Sequence, residues 1–348
     1  MITDLKKEQI ALEVIRVLKK RFDEFPTDLV SDNRNAPFHK AFLQAFSQKL
    51  NEHVKSIPVF IGLSSWMHGL NTSLGQSFFE RVAHKLSGGQ KRGFTSEKRT
   101  RLTVTEVQKA TIADIITDLK NGNKHPDVVS ENSLLRTQIL LGHEIDANDF
   151  TCDVYFEDND RITAIELKSV RPNAGESRGE KQKILEAKAA LFKHFPHKEI
   201  SYYVGFPFDP TDNTPTGFDK KRFLEYLIDG TKYFDSEEVL LSSELWDFLS
   251  GEKNTMETIL EIINRIASPK FLQRFEYINN SSNRYQKPRY YRKILEKWCL
   301  FSELHLFDND ALICRNLTTD VKERKYNQSN IFKKNGYDES RFNELKIA

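Results

Sequence analysis

Three residues of this chain have the types and spacing to do chemistry together: Asp153, Glu166 and Lys168. Two apolar-alternating runs, Phe150 to Phe156 and Ile162 to Val170, flank an acidic turn at Glu157 to Asp160, the pattern of a β-hairpin. Residues two apart in a strand share a face, so Glu166 and Lys168 should point together while Ile165 and Leu167 point to the core. A turn centred between Asn159 and Asp160 sets position 153 across from position 166. Two carboxylates and one ammonium then meet at a single point on a sheet edge. Hard anionic oxygens bind Mg²⁺, and a lysine beside the metal can orient or activate water for attack on phosphorus. The spacing alone does not decide the matter, since charges on a solvent-facing strand often do no more than keep that face wet.

A sheet and its covering helices must position that hairpin. Residues 4 to 25 read as an amphipathic helix, with Asp4 as its cap and Ile10, Val14, Val17 and Leu18 at helical spacing. Pro37 opens a second helix with Phe38, Phe42, Phe46 and Leu50 on one face. Gly75 to Leu86 reads as a helix stopped at Gly88-Gly89, and Thr103 to Leu119 as another closed near Gly122. After the hairpin come a helix from about Glu176 to Phe195 and an apolar strand from Ile200 to Phe206. Strand, helix, strand is a βαβ unit, for which a right-handed crossover is expected. Pro207 to Gly217 is a loop, and beyond Asp219 the pattern is mainly helical, with Trp246, Phe248, Ile259, Ile262 and Ile263 as expected core.

Composition narrows the class. A chain of 348 residues can bury a sizeable core, and 29% charged against 39% hydrophobic residues is an ordinary soluble balance. No apolar run approaches the ~20 residues needed to cross a membrane. The first residues have no apolar signal-peptide core, and Cys152, Cys299 and Cys314 make neither a disulfide framework nor a zinc spacing. A cytoplasmic, reducing setting is therefore expected. The net charge of +2 does not announce a nucleic-acid partner, but the cations cluster. Lys91 to Arg101 is strongly basic, and Arg284 to Lys297 interleaves Lys287, Arg289, Arg292 and Lys293 with Tyr285, Tyr290 and Tyr291. Such stretches suit phosphate and sugar contacts, or serve simply as solvated faces.

The α-β-β-α-β order with carboxylates on the hairpin resembles the PD-(D/E)xK nuclease core. Asp153, in Cys152-Asp153, stands where the motif's first Asp stands, without the usual proline before it, and Glu166-Leu167-Lys168 matches the (D/E)xK element. Two further stretches, Trp66 through Glu80 and Glu166 through Glu176, look like the TdeIII/MjaII type II restriction endonucleases, a resemblance covering roughly residues 55 to 230. It implies an α/β (α+β) fold: a restriction-endonuclease-like core at 56–230 with a central mixed sheet flanked by helices. A helical region at 1–55 and a mainly helical one at 231–348, in a DNA-contacting or dimerisation role, would extend it. It implies Mg²⁺-dependent cleavage of double-stranded DNA at a short, G/C-rich, twofold-symmetric site of the GGNCC kind. Asp153, Glu166 and the Leu167 carbonyl would hold the metal, Lys168 would position water or stabilise charge, and the ends would be 5′-phosphate and 3′-hydroxyl.

The same resemblance makes Glu80 a further acidic member of the site, where the plain reading is an exposed helix glutamate paired with Lys85. Asn71 and Gln76 would contact the DNA backbone or orient Glu80, whereas His68 and His84 read as packing or surface histidines. For base readout, Arg171, Asn173, Arg178, Glu180, Lys181 and Gln182 follow the catalytic lysine and carry the chemistry for G·C pairs. The basic-aromatic stretch around Arg289 competes for that role, and a solvated helix face explains the first group equally well. A symmetric site favours a homodimer, with a methyltransferase of the same system as a partner in function and no stable complex between them. The alternatives are a structure-specific repair or recombination nuclease and a non-catalytic DNA-binding module.

Overall fold

The computed structural model describes residues 1–25, 43, 57–168, 174–317, 319–334 and 336–346. Two units separate within it: Met1–Ile2 with Phe79–Ile259, and Thr3–Phe78 with Leu260–Ala348. The strands of the first are β1 (Gln90–Phe94), β2 (Thr103–Thr105), β3 (Glu144–Asp146), β4 (Phe150–Glu157), β5 (Arg161–Leu167), β6 (Glu199–Phe206) and β7 (Val239–Leu241). Five of them form a mixed sheet in the order β1-β4-β5-β6-β7. The β1–β4 and β4–β5 pairs are antiparallel, while β5–β6 and β6–β7 are parallel.

The long helix Ala174–His194 makes the crossover from β5 to β6. Its Ile184, Leu185, Ala187, Ala189, Ala190, Leu191 and Phe192 are all buried, in one core cluster with Ile162, Ala164, Ile200, Tyr202 and Val204 of the sheet. A strand with a parallel neighbour and cover on both faces buries nearly every residue. β5 approaches this: Ile162, Ala164, Ile165 and Glu166 are buried, Thr163 and Leu167 are half-buried, and only Arg161 is exposed. Glu166 is therefore not on an open, wet face, as simple alternation suggests, but is itself only 7% exposed.

Other boundaries moved for local reasons. The helix expected from Thr103 begins at Glu106, because Thr103–Thr105 pairs with β3 in a two-stranded ribbon. Thr105 then caps the helix in a reciprocal box with Gln108, and Gly122 closes it at φ 72°. The short β7 carries only three residues, too few for a periodic signal. Phe248, expected in the core, is 41% exposed.

In the second unit the helix Asp4–Asp23 is capped by Thr3, whose side chain accepts from the Lys6 N–H, while Asp4 sits in the first turn. Ile57–Ser73 is helical and runs into a π-helical turn at Leu74–Phe78. The helix expected at Pro37 lies outside the described residues. Phe271, Phe275 and Trp298 are buried, with the Phe271 and Trp298 rings stacked at 5.4 Å. Arg341 and Glu303 form a buried ion pair at 2.6 Å.

Candidate active site

The hairpin register sets the geometry. Val154 pairs with Ile165 and Tyr155 with Ala164, which centres the turn between Asn159 and Asp160 and continues to Asp153 opposite Glu166. Asp153 is held twice: its Oδ2 accepts from the Leu167 N–H at 3.0 Å, and its own carbonyl accepts from His84 Nε2–H at 2.7 Å. His84 lies on the helix Phe79–Ser87, one turn after Glu80 on the same face. That helix presents Glu80 to the same place. Lys91 closes the gap, its Nζ standing 3.0 Å from Glu80 Oε2 and 3.2 Å from Asp153 Oδ1.

On the other side, Lys168 reaches Glu166 Oε1 at 3.2 Å and Glu180 Oε1 at 2.7 Å. The backbone extends β5 by one bond, Lys168 N–H to Gly205 carbonyl at 2.9 Å, so the ammonium leaves from a fixed point. Lys183 takes the other oxygen of Glu166 at 2.8 Å. Glu180 and Lys183 are three apart on the long helix and face the site together. Burial pulls the Lys168 ammonium toward neutrality, but the Glu180 hydrogen bond and the charges of Glu166 and Glu180 outweigh it and raise its pKa above the ordinary value. Burial likewise acts against the charge of Lys91, and its bonds to Glu80 and Asp153 carry its pKa upward. Both lysines are thus cations at neutral pH. Cys152, beside Asp153, is no nucleophile, because burial pushes its thiol up to about 12.

Among the described residues no three Asp, Glu, His or Cys side chains close around one point as a complete metal cage. The site instead offers a partial set of hard carboxylate oxygens at Asp153, Glu166 and Glu80. A hard cation that keeps several of its waters needs only one or two protein carboxylates.

Not every expected site residue comes here. Lys181 is corrected outright: its side chain is fully buried, paired with Glu131 at 2.6 Å and with Glu238, so it cannot touch a base. Glu180 accepts a hydrogen bond from Lys168 at 2.7 Å. Gln182 is exposed but bonds Glu186 at 2.9 Å, while Arg178 is exposed on the first turns of the long helix. Arg171 and Asn173 lie outside the described residues. Asn71, Gln76 and Arg289 are exposed residues of the second unit. In the basic-aromatic stretch Arg284 is buried against Tyr326, and Arg292 pairs with Glu296 and Asp308, which leaves Lys287, Arg289, Tyr290 and Lys293 at the surface.

Sequence reasoning missed Lys91, Lys183 and the part His84 plays. Lys91 was visible only as one cation of a basic run. It aims at the carboxylates because the β1–β4 register shifts between Gln90 and Arg92.

Comparison with known proteins gives this arrangement a lineage. The family profile of the type II restriction endonuclease HinfI matches residues 3–267. The chain belongs to the HinfI family of type II restriction endonucleases. Among its relatives, the type II restriction enzyme MjaII of Methanocaldococcus jannaschii is 45% identical over 98% of this chain and 95% of its own length. The type II restriction enzyme HgiBI of Herpetosiphon aurantiacus is 24% identical over 71% of this chain and 83% of its own. No solved structure matches the chain. As a HinfI-family protein, the chain is a DNA-binding, site-specific deoxyribonuclease of a restriction-modification system. No helix among the described residues is long and apolar enough to cross a membrane.

Proposed function

We propose that this enzyme cuts both strands of DNA in a Mg²⁺-dependent reaction, at a short, G/C-rich, twofold-symmetric site of the GGNCC kind, leaving 5′-phosphate and 3′-hydroxyl ends. The observation that carries the reading is the meeting of Asp153, Glu166 and Lys168 at the end of the β4–β5 hairpin, with Glu80 joined through Lys91. Asp153 and Glu166 would hold the metal, with the Leu167 carbonyl beside them. When bound, Mg²⁺ supplies charge neutralisation at the scissile phosphate and lowers the pKa of a water.

The protein's own share is positional. The Leu167 N–H fixes one oxygen of Asp153 and leaves Oδ1 directed toward Glu80 and Lys91. Lys168 is paired with Glu180 and Glu166, and from there it would donate a hydrogen bond to the attacking water or to a phosphoryl oxygen. Lys183 adds a second positive charge beside Glu166 where negative charge builds. A symmetric site is met most simply by a homodimer, each protomer cutting one strand. Such an enzyme would work in the cytoplasm beside a methyltransferase that protects the same site, without a stable complex between the two.

Plasmid DNA incubated with the purified protein and Mg²⁺, followed by sequencing of the ends, tests the reading. Discrete fragments that vanish with EDTA and with Lys168→Ala are expected, and the ends give the site. A smear of products, or cleavage that survives EDTA, would overturn it.

A further inference from the structure

We propose that Lys91 is an exchangeable counter-ion: it bridges Glu80 and Asp153 while no divalent cation is bound, and moves to a DNA phosphate once one binds. The inference rests on the Mg²⁺ reading of the site and concerns how that site is kept and filled. Its ground is the choice of oxygen. Asp153 Oδ2 is taken by the Leu167 N–H, and Lys91 sits on Oδ1, the oxygen left for a metal, 3.2 Å away. The same ammonium lies 3.0 Å from Glu80 Oε2. A compact, hard cation already stands between two carboxylates, where a divalent ion would have to compete with it.

Two further features make Lys91 able to leave. Its side chain is 50% exposed, so withdrawal opens no cavity. It lies at the register shift of β1 against β4, off the regular alternation of the strand. Charge gives it a reason to leave. Glu80, Asp153, Glu166 and Glu180 against Lys91, Lys168 and Lys183 carry a formal net charge of −1. A divalent cation turns that to +1, and the scissile phosphate brings it to zero. Lys91 would then face a cation on one side and a phosphate on the other. Lys91 therefore weakens metal binding in the free enzyme and strengthens DNA binding in the metal-loaded one, which ties loading of the metal to arrival of the DNA.

Mn²⁺ serves as the probe, its free concentration followed by electron paramagnetic resonance without DNA. Wild type, Lys91→Met, Lys91→Arg and Asp153→Asn are compared, each shown folded by its melting curve. Lys91→Met should bind Mn²⁺ more tightly, by on the order of tenfold for one removed neighbouring charge, and Lys91→Arg should stay near wild type. Binding of a duplex carrying the site, measured against salt with Ca²⁺ present, should lose about 0.9 of its logarithmic slope in Lys91→Met, one phosphate contact's worth. Without divalent ions the slope should not change. Unchanged or weaker Mn²⁺ binding by Lys91→Met would overturn the proposal and make Lys91 a brace for the carboxylates. Equal Mn²⁺ binding by Asp153→Asn and wild type would instead remove the metal reading, and this proposal with it.

Discussion

The helix Ala174–His194 carries two clusters of opposite charges, and water reaches only one of them. At the site, Glu180 and Lys183 meet Lys168 and Glu166, with side chains between 9% and 33% exposed. One residue further round, Lys181 points the other way, and with Lys188, two turns on, it meets Glu238 and Glu131 in the interior. There the exposures are 0 to 6%. Both clusters pair acids with lysines at similar distances, so contact geometry does not tell them apart. Burial does. Two cations and two anions closed off from water balance one another and can accept no newcomer without leaving a charge unpaired. The half-wet cluster is equally balanced, two lysines against two carboxylates, but it is open to water and can trade partners with water, metal or phosphate. Catalysis needs the second kind, and the first fixes how the helix is turned so that Glu180 and Lys183 face the site.

The largest effect should come from the wet cluster, and on rate. Lys168→Ala or Glu166→Gln should lower single-turnover cleavage by at least about 10²-fold, the usual loss for one transition-state charge partner. The urea midpoint should move less than for a change in the buried cluster, since the lysines that pair with Glu166 are partly exposed and can turn to water. If either variant unfolds as early as one in the buried cluster, the distinction between the clusters fails.

The buried cluster should show the reverse. Glu238→Gln strands the buried Lys188 and leaves Lys181 with Glu131 alone, which costs about 3–5 kcal/mol, read from urea unfolding followed by tryptophan fluorescence. Replacing all four members by apolar residues of similar size should recover most of that loss, because a well-packed apolar set avoids desolvation. Recovery of stability without recovery of cleavage would show that the network also sets the rotation of the helix. Acid gives an independent check. Burial raises the Glu238 pKa, but the charges of Lys188 and Lys181 prevail and hold it below the ordinary 4.5. An acid with a depressed folded pKa stabilises the fold above its unfolded value, so that contribution should fade as pH drops below about 4.5. Glu131 shifts the other way, its burial outweighing the charge of Lys181, so retained stability through that range would mean that the two acids of the cluster offset each other.

How far such clusters can be read from sequence follows from the same physics. The hairpin was legible because alternation and an acidic turn are local, and a single register then placed Asp153 opposite Glu166. Glu180 and Lys181 stand side by side in a charged run, and nothing local says which one faces water. That depends on the Glu131 helix and on Glu238, 50 and 57 residues away from Lys181. Lys91 was hidden for another reason. It reaches the carboxylates through a slipped pairing between strands 62 residues apart, which no periodicity encodes. β7 was too short to signal, and Thr103–Thr105 was claimed by the helix it precedes.

The smallest effect belongs to the far end of the helix, where a third polar contact is wetter than either cluster. The Thr103 N–H donates to His194 Nε2 at 3.0 Å, which requires that nitrogen to be unprotonated. Burial, and then the neighbouring Lys193 charge, lower the His194 pKa from its ordinary 6.5, against the opposing pull of Glu144. A base whose folded pKa is depressed favours the fold while it is neutral in both states. From about pH 6.5 downward the unfolded chain takes up a proton that the folded one resists, so stability falls until the folded ring also protonates. The urea midpoint measured from pH 7.5 to 5 should therefore drift down by a small amount in wild type, and His194→Gln should remove that part of the drift. An equal drift in the variant would move the cause elsewhere. A drift larger than the cost of Glu238→Gln would break the ranking by burial, since the wettest of the three contacts would then weigh most.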